Sequence, residues 1–249
     1  MKQSAEKCLL IDNSNTRTKF VIAVEGSLQE ETVIIPTAEL TAEKIREAFC
    51  PLLFSRVVVA SVVPECEEIF VSAFSCPVHF VSVQSPSVLS YDYEGVLTLG
   101  ADRIANAIAV TSCVDLPCIA IDAGTATTFD VVVSREGQSV YVGGAIAPGY
   151  AAFSKYLHQC TAKLPDVSLN ADAKAIGKNT VQAIQAGSLH GFCGMVRGII
   201  SAIEAQLGCS AHIVLTGGDA SLLKDAGNIP GDVVPKLTFE GLLHVLNRL

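Results

Sequence analysis

No apolar run in these 249 residues approaches the roughly 20 that a membrane-spanning helix needs. The hydrophobic half of the composition comes as short Val/Ile/Ala runs, the pattern of strands buried on both faces. The apolar stretch at residues 8–11 is far too short for a secretory signal, so a cytoplasmic protein is expected. Cysteines at metal-binding spacing are missing as well. The nine cysteines contain no C-x-x-C, and the nearest two are Cys113 and Cys118. That count and spacing argue against a disulfide framework, zinc or iron–sulfur, and most of the thiols are expected to be small buried hydrophobes. The five histidines include no H-x-x-x-H pair. Positive charge is scarce: 17 basic against 25 acidic residues leave −8, with no Lys/Arg cluster. Nucleic-acid binding is thereby opposed as a main function. There is no low-complexity segment and no Pro-rich linker, and the length suits one large domain or two ordinary ones.

What is present centres on residues 119–133, IAIDAGTATTFDVVV. An apolar run reaches Asp122, turns through small residues and returns as a second apolar run, which reads as two buried strands joined by a tight turn. The turn carries one carboxylate, Gly124 and the hydroxyls of Thr125, Thr127 and Thr128. An acid holds a hydrated cation, glycine lets backbone N–H groups approach a phosphate, and hydroxyls donate to phosphate oxygens. A plain hairpin needs only the turn residues. A second copy strengthens the reading: residues 9–24, LLIDNSNTRTKFVIAV, align at an offset of 110, with Asp12 under Asp122 and Thr18 under Thr128. A third extended stretch follows each copy, at residues 28–35 and 139–146. One supersecondary unit used twice favours two domains, with boundaries expected at 1–116 and 117–249.

Between and after the copies, strands alternate with helices, indicating an α/β fold. Helices are expected at residues 41–49 with Thr41 as N-cap, and from Pro64 to Phe74. Buried strands are expected at 56–62 and 78–83. After a loop at 84–99 holding Tyr93, GADRIANAIAV opens a helix running to about Val114, with Asp102 and Arg103 in its first turn. An acid there is ordinary dipole complementation. It is equally a carboxylate at a loop–helix junction where α/β sheets bind ligands, with Arg103 beside it as an anion clamp. The glycines of YVGGAIAPGY mark either a bulge and turn or the close approach of a ligand. A long helix is expected from Asn179 to Leu207, with Asn179 and Gln182 as a capping pair and Thr180 free to cap or to touch a ligand. Its Gly187, Gly191, Gly194 and Gly198 lie on one stripe and point to close helix approach, most simply in a dimer. A strand then meets Gly217-Gly218-Asp219, a plausible nucleotide site.

The motifs occur in a fixed order: D-x-x-N-T-x-x-K (Asp12, Asn15, Thr16, Lys19), G-A-D-R (Gly100, Ala101, Asp102, Arg103), D-A-G-T-A-T-T, G-G-x-I-x-P-G and T-G-G-D. This set resembles the type III pantothenate kinases over nearly the whole chain. The resemblance implies two ribonuclease-H-like domains of duplicated βββαβα type around an ATP cleft, as in the actin-like ATPases. It implies ATP-dependent phosphorylation of pantothenate in coenzyme A synthesis by a cytoplasmic homodimer. Asp102 would be the general base. ATP would be bound by Asp12, Asn13, Ser14, Asn15, Thr16, Arg17, Thr18 and Lys19, by Thr125 in the second loop, and by Gly217 and Gly218 at the adenosine. Pantothenate would be lined by Tyr93, Gly100, Ala101, Asp102, Arg103 and Thr180, the last from the partner subunit. Asp12 would hold Mg²⁺, and Asp122 a monovalent cation, K⁺ or NH₄⁺. The chain departs from the family pattern at Ser14, where glycine is usual, and at Glu94-Gly95-Val96, where Asn-Pro is usual. Alternative readings are another small-molecule kinase of the same superfamily and a non-catalytic accessory relative. Retention of Asp12, Asp102 and Asp122 together argues against the latter.

Overall fold

The computed structural model describes residues 6–113 and 115–249, and the chain divides into two compact units, Met1–Cys113 with Lys236–Leu249 and Val114–Pro235. The first unit runs β1 (Lys7–Asn13), β2 (Arg17–Val24), β3 (Ser27–Pro36), α1 (Ala42–Phe49), β4 (Arg56–Ser61), α2 (Glu67–Ala73), β5 (Val78–Phe80), β6 (Leu89–Tyr91) and α3 (Ala101–Cys113). Its five-stranded sheet has the order β3-β2-β1-β4-β5. The first three strands are antiparallel, and β4 and β5 run parallel to β1. Strand alternation sends Leu9, Ile11, Phe20, Val57 and Val59 to one face, where Ile45, Phe49 and Phe70 of α1 and α2 cover them. Thr41 caps α1 as expected, its hydroxyl accepting from the Lys44 amide at 3.2 Å. The segment opened by Pro64 begins as a single 3₁₀ turn and becomes α-helical only at Glu67. The expected helix end at Val114 lies outside the described residues.

The second unit runs β7 (Cys118–Ala123), β8 (Ala126–Arg135), β9 (Gln138–Pro148), α4 (Tyr150–Cys160), α5 (Thr180–Leu207), β10 (His212–Thr216), α6 (Ala220–Asp225) and β11 (Asp232–Val233). Its strands are ordered β9-β8-β7-β10-β11, the order of the first unit repeated. The duplication is therefore one of topology as well as sequence. Its register differs by one residue. Asp12 lies opposite Lys19, whereas Asp122 lies opposite Thr128, because the second turn is one residue shorter. The counterpart of Thr18 is consequently Thr127, not Thr128. Both are fully buried, and Phe20 and Phe129 occupy the same core position after them.

A final helix, α7 (Leu237–Leu246), corrects the expected domain boundary. It packs on α3 and on β1 and β4 of the first unit and belongs to that unit. Gly241 lies so close to the Ala105 carbonyl that a Cβ there would collide with it, and Leu237, Leu242 and Val245 are buried. In the second unit α5 buries Leu189, Phe192, Cys193, Val196 and Ile200 against β7 and β8. Of the glycine stripe, Gly191 serves a contact within this unit, against Phe153 of α4, while Gly187, Gly194 and Gly198 face open space. Among the described thiols, Cys8, Cys66, Cys118 and Cys193 are buried, Cys76 is half-buried, and Cys50, Cys160 and Cys209 are exposed; all are unbridged. The expectation of mostly buried cysteines holds for only half of them. No helix among the described residues is long and apolar enough to cross a membrane.

Candidate active site

In the first unit, chemistry gathers at the ends of β1 and β2 and at the start of α3. Asp12 ends its strand buried, and the Lys19 ammonium reaches back across the pair to Asp12 Oδ2 at 3.0 Å. The connecting loop is held by its own side chains together with Ser61 and Thr37. Asn13 Nδ2 donates to Thr18 Oγ1 at 2.8 Å, and the Asn13 Oδ1 accepts from Ser61 Oγ at 2.7 Å. Thr37 Oγ1 donates to the Ser14 carbonyl at 2.7 Å, and Ser14 Oγ to the Arg17 carbonyl at 2.9 Å. Asn13 and Thr18 thus turn inward as the frame of the loop. Asn15, Thr16 and Arg17 remain exposed on it. Ser14 closes the turn through its hydroxyl and its amide, which also donates to the Arg17 carbonyl at 3.2 Å. Its side chain therefore lies along the loop.

Asp102 stands in the first turn of α3, and its Oδ1 accepts from the Arg103 amide at 2.7 Å. Burial pushes its pKa above the ordinary 3.8; the Arg103 amide opposes this, and the nearby Asp12 carboxylate adds to it. Gly100 makes room for the carboxylate: a Cβ at Gly100 would sit 2.7 Å from Asp102 Oδ1. The Gly100 carbonyl also accepts from the Ile104 amide, starting the helix. Arg103 is buried. A cavity of about 580 Å³ opens beside this helix start, lined by Ser61, Val62, Gln84, Thr98, Gly100 and Ala101 among others. Tyr93 lies in the preceding loop against Gly95, more than a third exposed at 37 %.

In the second unit, three chain segments meet at the end of β7. The Gly124 amide donates to the Ala126 carbonyl at 3.0 Å, leaving Thr125 exposed at the tip. The Gly149 amide donates to the Thr125 carbonyl at 3.2 Å, and a Cβ at Gly149 would strike the Gly124 carbonyl. Gly217, at φ +88°, presses on the Ala123 carbonyl and on Asp122 Oδ1, so that only glycine fits in backbone angle and in space. The Asp219 amide donates to the Ala123 carbonyl at 2.9 Å. Gly218 is exposed, with open space above it. Thr180 is exposed at the first position of α5, whose N-cap Asn179 accepts from the Gln182 amide at 2.9 Å while Gln182 Oε1 accepts from the Lys178 amide at 2.9 Å. That is the expected capping pair, closed in both directions.

Two features of this half escaped the motif reading. Asp219 has its pKa raised by burial, although the T-G-G-D motif points through its glycines to a nucleotide site opening a helix and gives the acid no role. Asp130 is a wholly buried carboxylate that accepts from Tyr141 OH at 3.0 Å, and no local signal in FDVVV distinguishes it. The glycines of YVGGAIAPGY, left between bulge and ligand approach, serve backbone geometry. Gly143 has φ +110° beside a register shift at Val131 and Val132, and Gly144 lies against the Phe129 carbonyl.

A metal fits this donor set only in a particular way. Among the described residues no three His, Cys, Asp or Glu side chains gather to hold an ion. Mg²⁺ in phosphoryl-transfer sites takes one or two carboxylates together with substrate phosphates and water. Asp12 supplies one such carboxylate beside an exposed loop, so Mg²⁺ carried by a nucleotide fits. Asp122, half-buried at a strand end, is the carboxylate that could hold a monovalent cation in the same way.

A family model described as type III pantothenate kinase matches residues 8–202. A type III pantothenate kinase of Akkermansia muciniphila is 39% identical over 234 residues, which cover 94% of this chain and 96% of that protein. Among solved structures, a conserved putative Baf family transcriptional activator from Campylobacter jejuni superposes with a TM-score of 0.62 at 18% identity, covering 96% of this chain and 98% of that one. A ROK family glucokinase from Streptomyces griseus, in complex with glucose and AMPPNP, superposes at 0.55 and 12% identity, covering 97% and 98%. At these identities the two structures speak for the fold alone: the paired ribonuclease-H-like units of the sugar kinases and actin-like ATPases.

Proposed function

The chain belongs to the type III pantothenate kinase family, and from that premise we propose that it transfers the γ-phosphoryl group of ATP to the primary hydroxyl of pantothenate, with Asp102 as the general base. The observation that carries this reading is the Asp102 carboxylate itself. It is half-buried at the start of α3 and given room by Gly100, and its neighbours Gly100 and Ala101 line a cavity sized for a small organic acid. Phosphoryl transfer needs mostly positioning and charge neutralisation, with one base for the attacking hydroxyl. Asp102 takes the hydroxyl proton as the oxygen attacks. Arg103 and Thr180 hold the substrate carboxylate and amide, with Tyr93, Gly100 and Ala101 completing the pocket. The exposed Asn15, Thr16 and Arg17, together with Lys19, donate to phosphate oxygens, and the inward Asn13, Ser14 and Thr18 keep that loop in shape. Thr125 is the phosphate contact of the second loop. Gly217 and the open face of Gly218 take the adenosine. Mg²⁺ at Asp12 and a monovalent cation (K⁺ or NH₄⁺) at Asp122 supply positive charge to the phosphates when bound.

The reading also carries a cytoplasmic homodimer. The uncovered Gly187, Gly194 and Gly198 of α5 support a two-fold helix contact, and Thr180 then reaches the partner's substrate. Light scattering that shows only monomer at micromolar concentration removes this part. The reaction is tested by ADP release with ATP, Mg²⁺ and pantothenate, with and without K⁺. Pantothenate-dependent turnover, stimulated by K⁺ and reduced at least about a hundredfold in Asp102→Asn, is expected. A folded, ATP-binding protein with no such turnover defeats the assignment and moves weight to another hydroxyl substrate or an accessory role.

A further inference from the structure

Asp12 and Lys19 face each other across the β1–β2 pair, with the ammonium 3.0 Å from Asp12 Oδ2. The two partners differ in freedom. The Asp12 side chain is 10% exposed and short, while that of Lys19 is 37% exposed on a flexible four-carbon stem. A divalent cation arriving alone would meet one carboxylate already neutralised by an ammonium. No further cluster of three ligating side chains waits among the described residues. Mg²⁺ dehydrates reluctantly and is poorly held by one carboxylate without phosphate oxygens. A nucleotide changes both conditions. Its phosphates carry more negative charge than a single carboxylate and attract a lysine ammonium as a point charge, and they bring the missing oxygen ligands.

We propose that Lys19 is the resident counter-ion of Asp12 and makes divalent-metal binding conditional on the nucleotide: the ammonium leaves the carboxylate for the phosphates, and the metal enters with them. This rests on the nucleotide reading of the first loop given above. Lys19 is then a positioning residue for the metal as well as a phosphate contact, and the free enzyme is spared a bound divalent ion that would have to be matched to each incoming nucleotide. The pair also keeps a buried carboxylate from standing uncompensated before substrate binds.

The test is a titration with Mn²⁺ followed by the electron paramagnetic resonance signal of the free aqua ion, with and without AMPPNP. Wild-type protein is expected to bind Mn²⁺ at least about tenfold more weakly without AMPPNP than with it. In Lys19→Met, Mn²⁺ alone should bind roughly two- to fivefold tighter than to wild type, the range set by losing a partly exposed ion pair. Lys19→Arg, which keeps the cation, should restore the wild-type dependence. Lys19→Gln repeats the test if the Met variant fails to fold, and Asp12→Asn should bind no metal without nucleotide. Equal Mn²⁺ affinity with and without AMPPNP in a wild type that binds AMPPNP overturns this inference alone. So does a Lys19→Met or Lys19→Gln protein whose metal affinity is unchanged. A wild type that does not bind AMPPNP at all overturns the nucleotide reading and this inference together.

Discussion

Burial raises the Asp102 pKa above its ordinary 3.8, and this one side chain ties activity to stability. In the window between the two values the native state binds a proton more readily than the unfolded chain, so ionising Asp102 costs folding free energy as pH rises through it. If Asp102 is the base proposed above, the acid limb of kcat/KM is expected above the ordinary carboxylate range, because only its ionised form would accept the hydroxyl proton. Asp102→Asn should reduce turnover at least about a hundredfold yet raise Tm near pH 7, and the gain should shrink as pH falls through the raised pKa, where the wild-type carboxyl takes up its proton. A Tm that falls at neutral pH in the variant contradicts the burial argument. At the same scale, Ser14 shows why a departure from a motif needs a contact to interpret it: its hydroxyl closes the turn on the Arg17 carbonyl instead of projecting as bulk into the loop.

At the scale of the elements, two glycines argue for opposite outcomes from the same change. A Cβ at Gly100 meets the end of a flexible carboxylate, whereas at Gly217 it meets the Ala123 backbone as well as Asp122, at a φ of +88°. Gly100→Ala is expected to move Asp102, lowering kcat with Tm almost unchanged. Gly217→Ala is expected to cost more than about 1 kcal/mol of stability, read from the urea midpoint, and to weaken stimulation by K⁺ through displaced Asp122. The reverse pattern defeats this account of how the turns are packed. The repeated βββ unit was legible because each copy keeps its apolar alternation and its acid at the strand end. Its register was not legible: an alignment of Thr18 with Thr128 scores as well as one with Thr127, and only cross-strand pairing shows that the second turn is a residue shorter.

At the scale of the whole chain, α7 closes the first unit although it is last in sequence. Leu237, Leu242 and Val245 are fully or nearly fully buried, each worth roughly 1.5–3 kcal/mol. Together they rival the 5–15 kcal/mol by which a domain is stable. Removing residues 236–249 is therefore expected to unfold the first unit, seen as loss of protection from hydrogen exchange in β1 and β4 while β7 and β8 stay protected. Loss of protection confined to the second unit instead restores the simple division at 116/117.

The sequence by itself determined the α/β class, the doubled strand unit, the carboxylates at Asp12, Asp102 and Asp122, the caps at Thr41 and Asn179, and the family. Each rests on local patterns of alternation, spacing and capping chemistry, repeated or ordered along the chain. The tertiary structure alone decided that α7 belongs with the first unit, that Asn13 and Thr18 brace their loop from within, that Gly149 and Gly217 exist to admit neighbouring backbone, and that Asp130 is buried and Asp219 half-buried. These depend on which distant segments come to lie against one another. No periodicity along the chain records that, because the free energy of burial depends on the partner as much as on the residue.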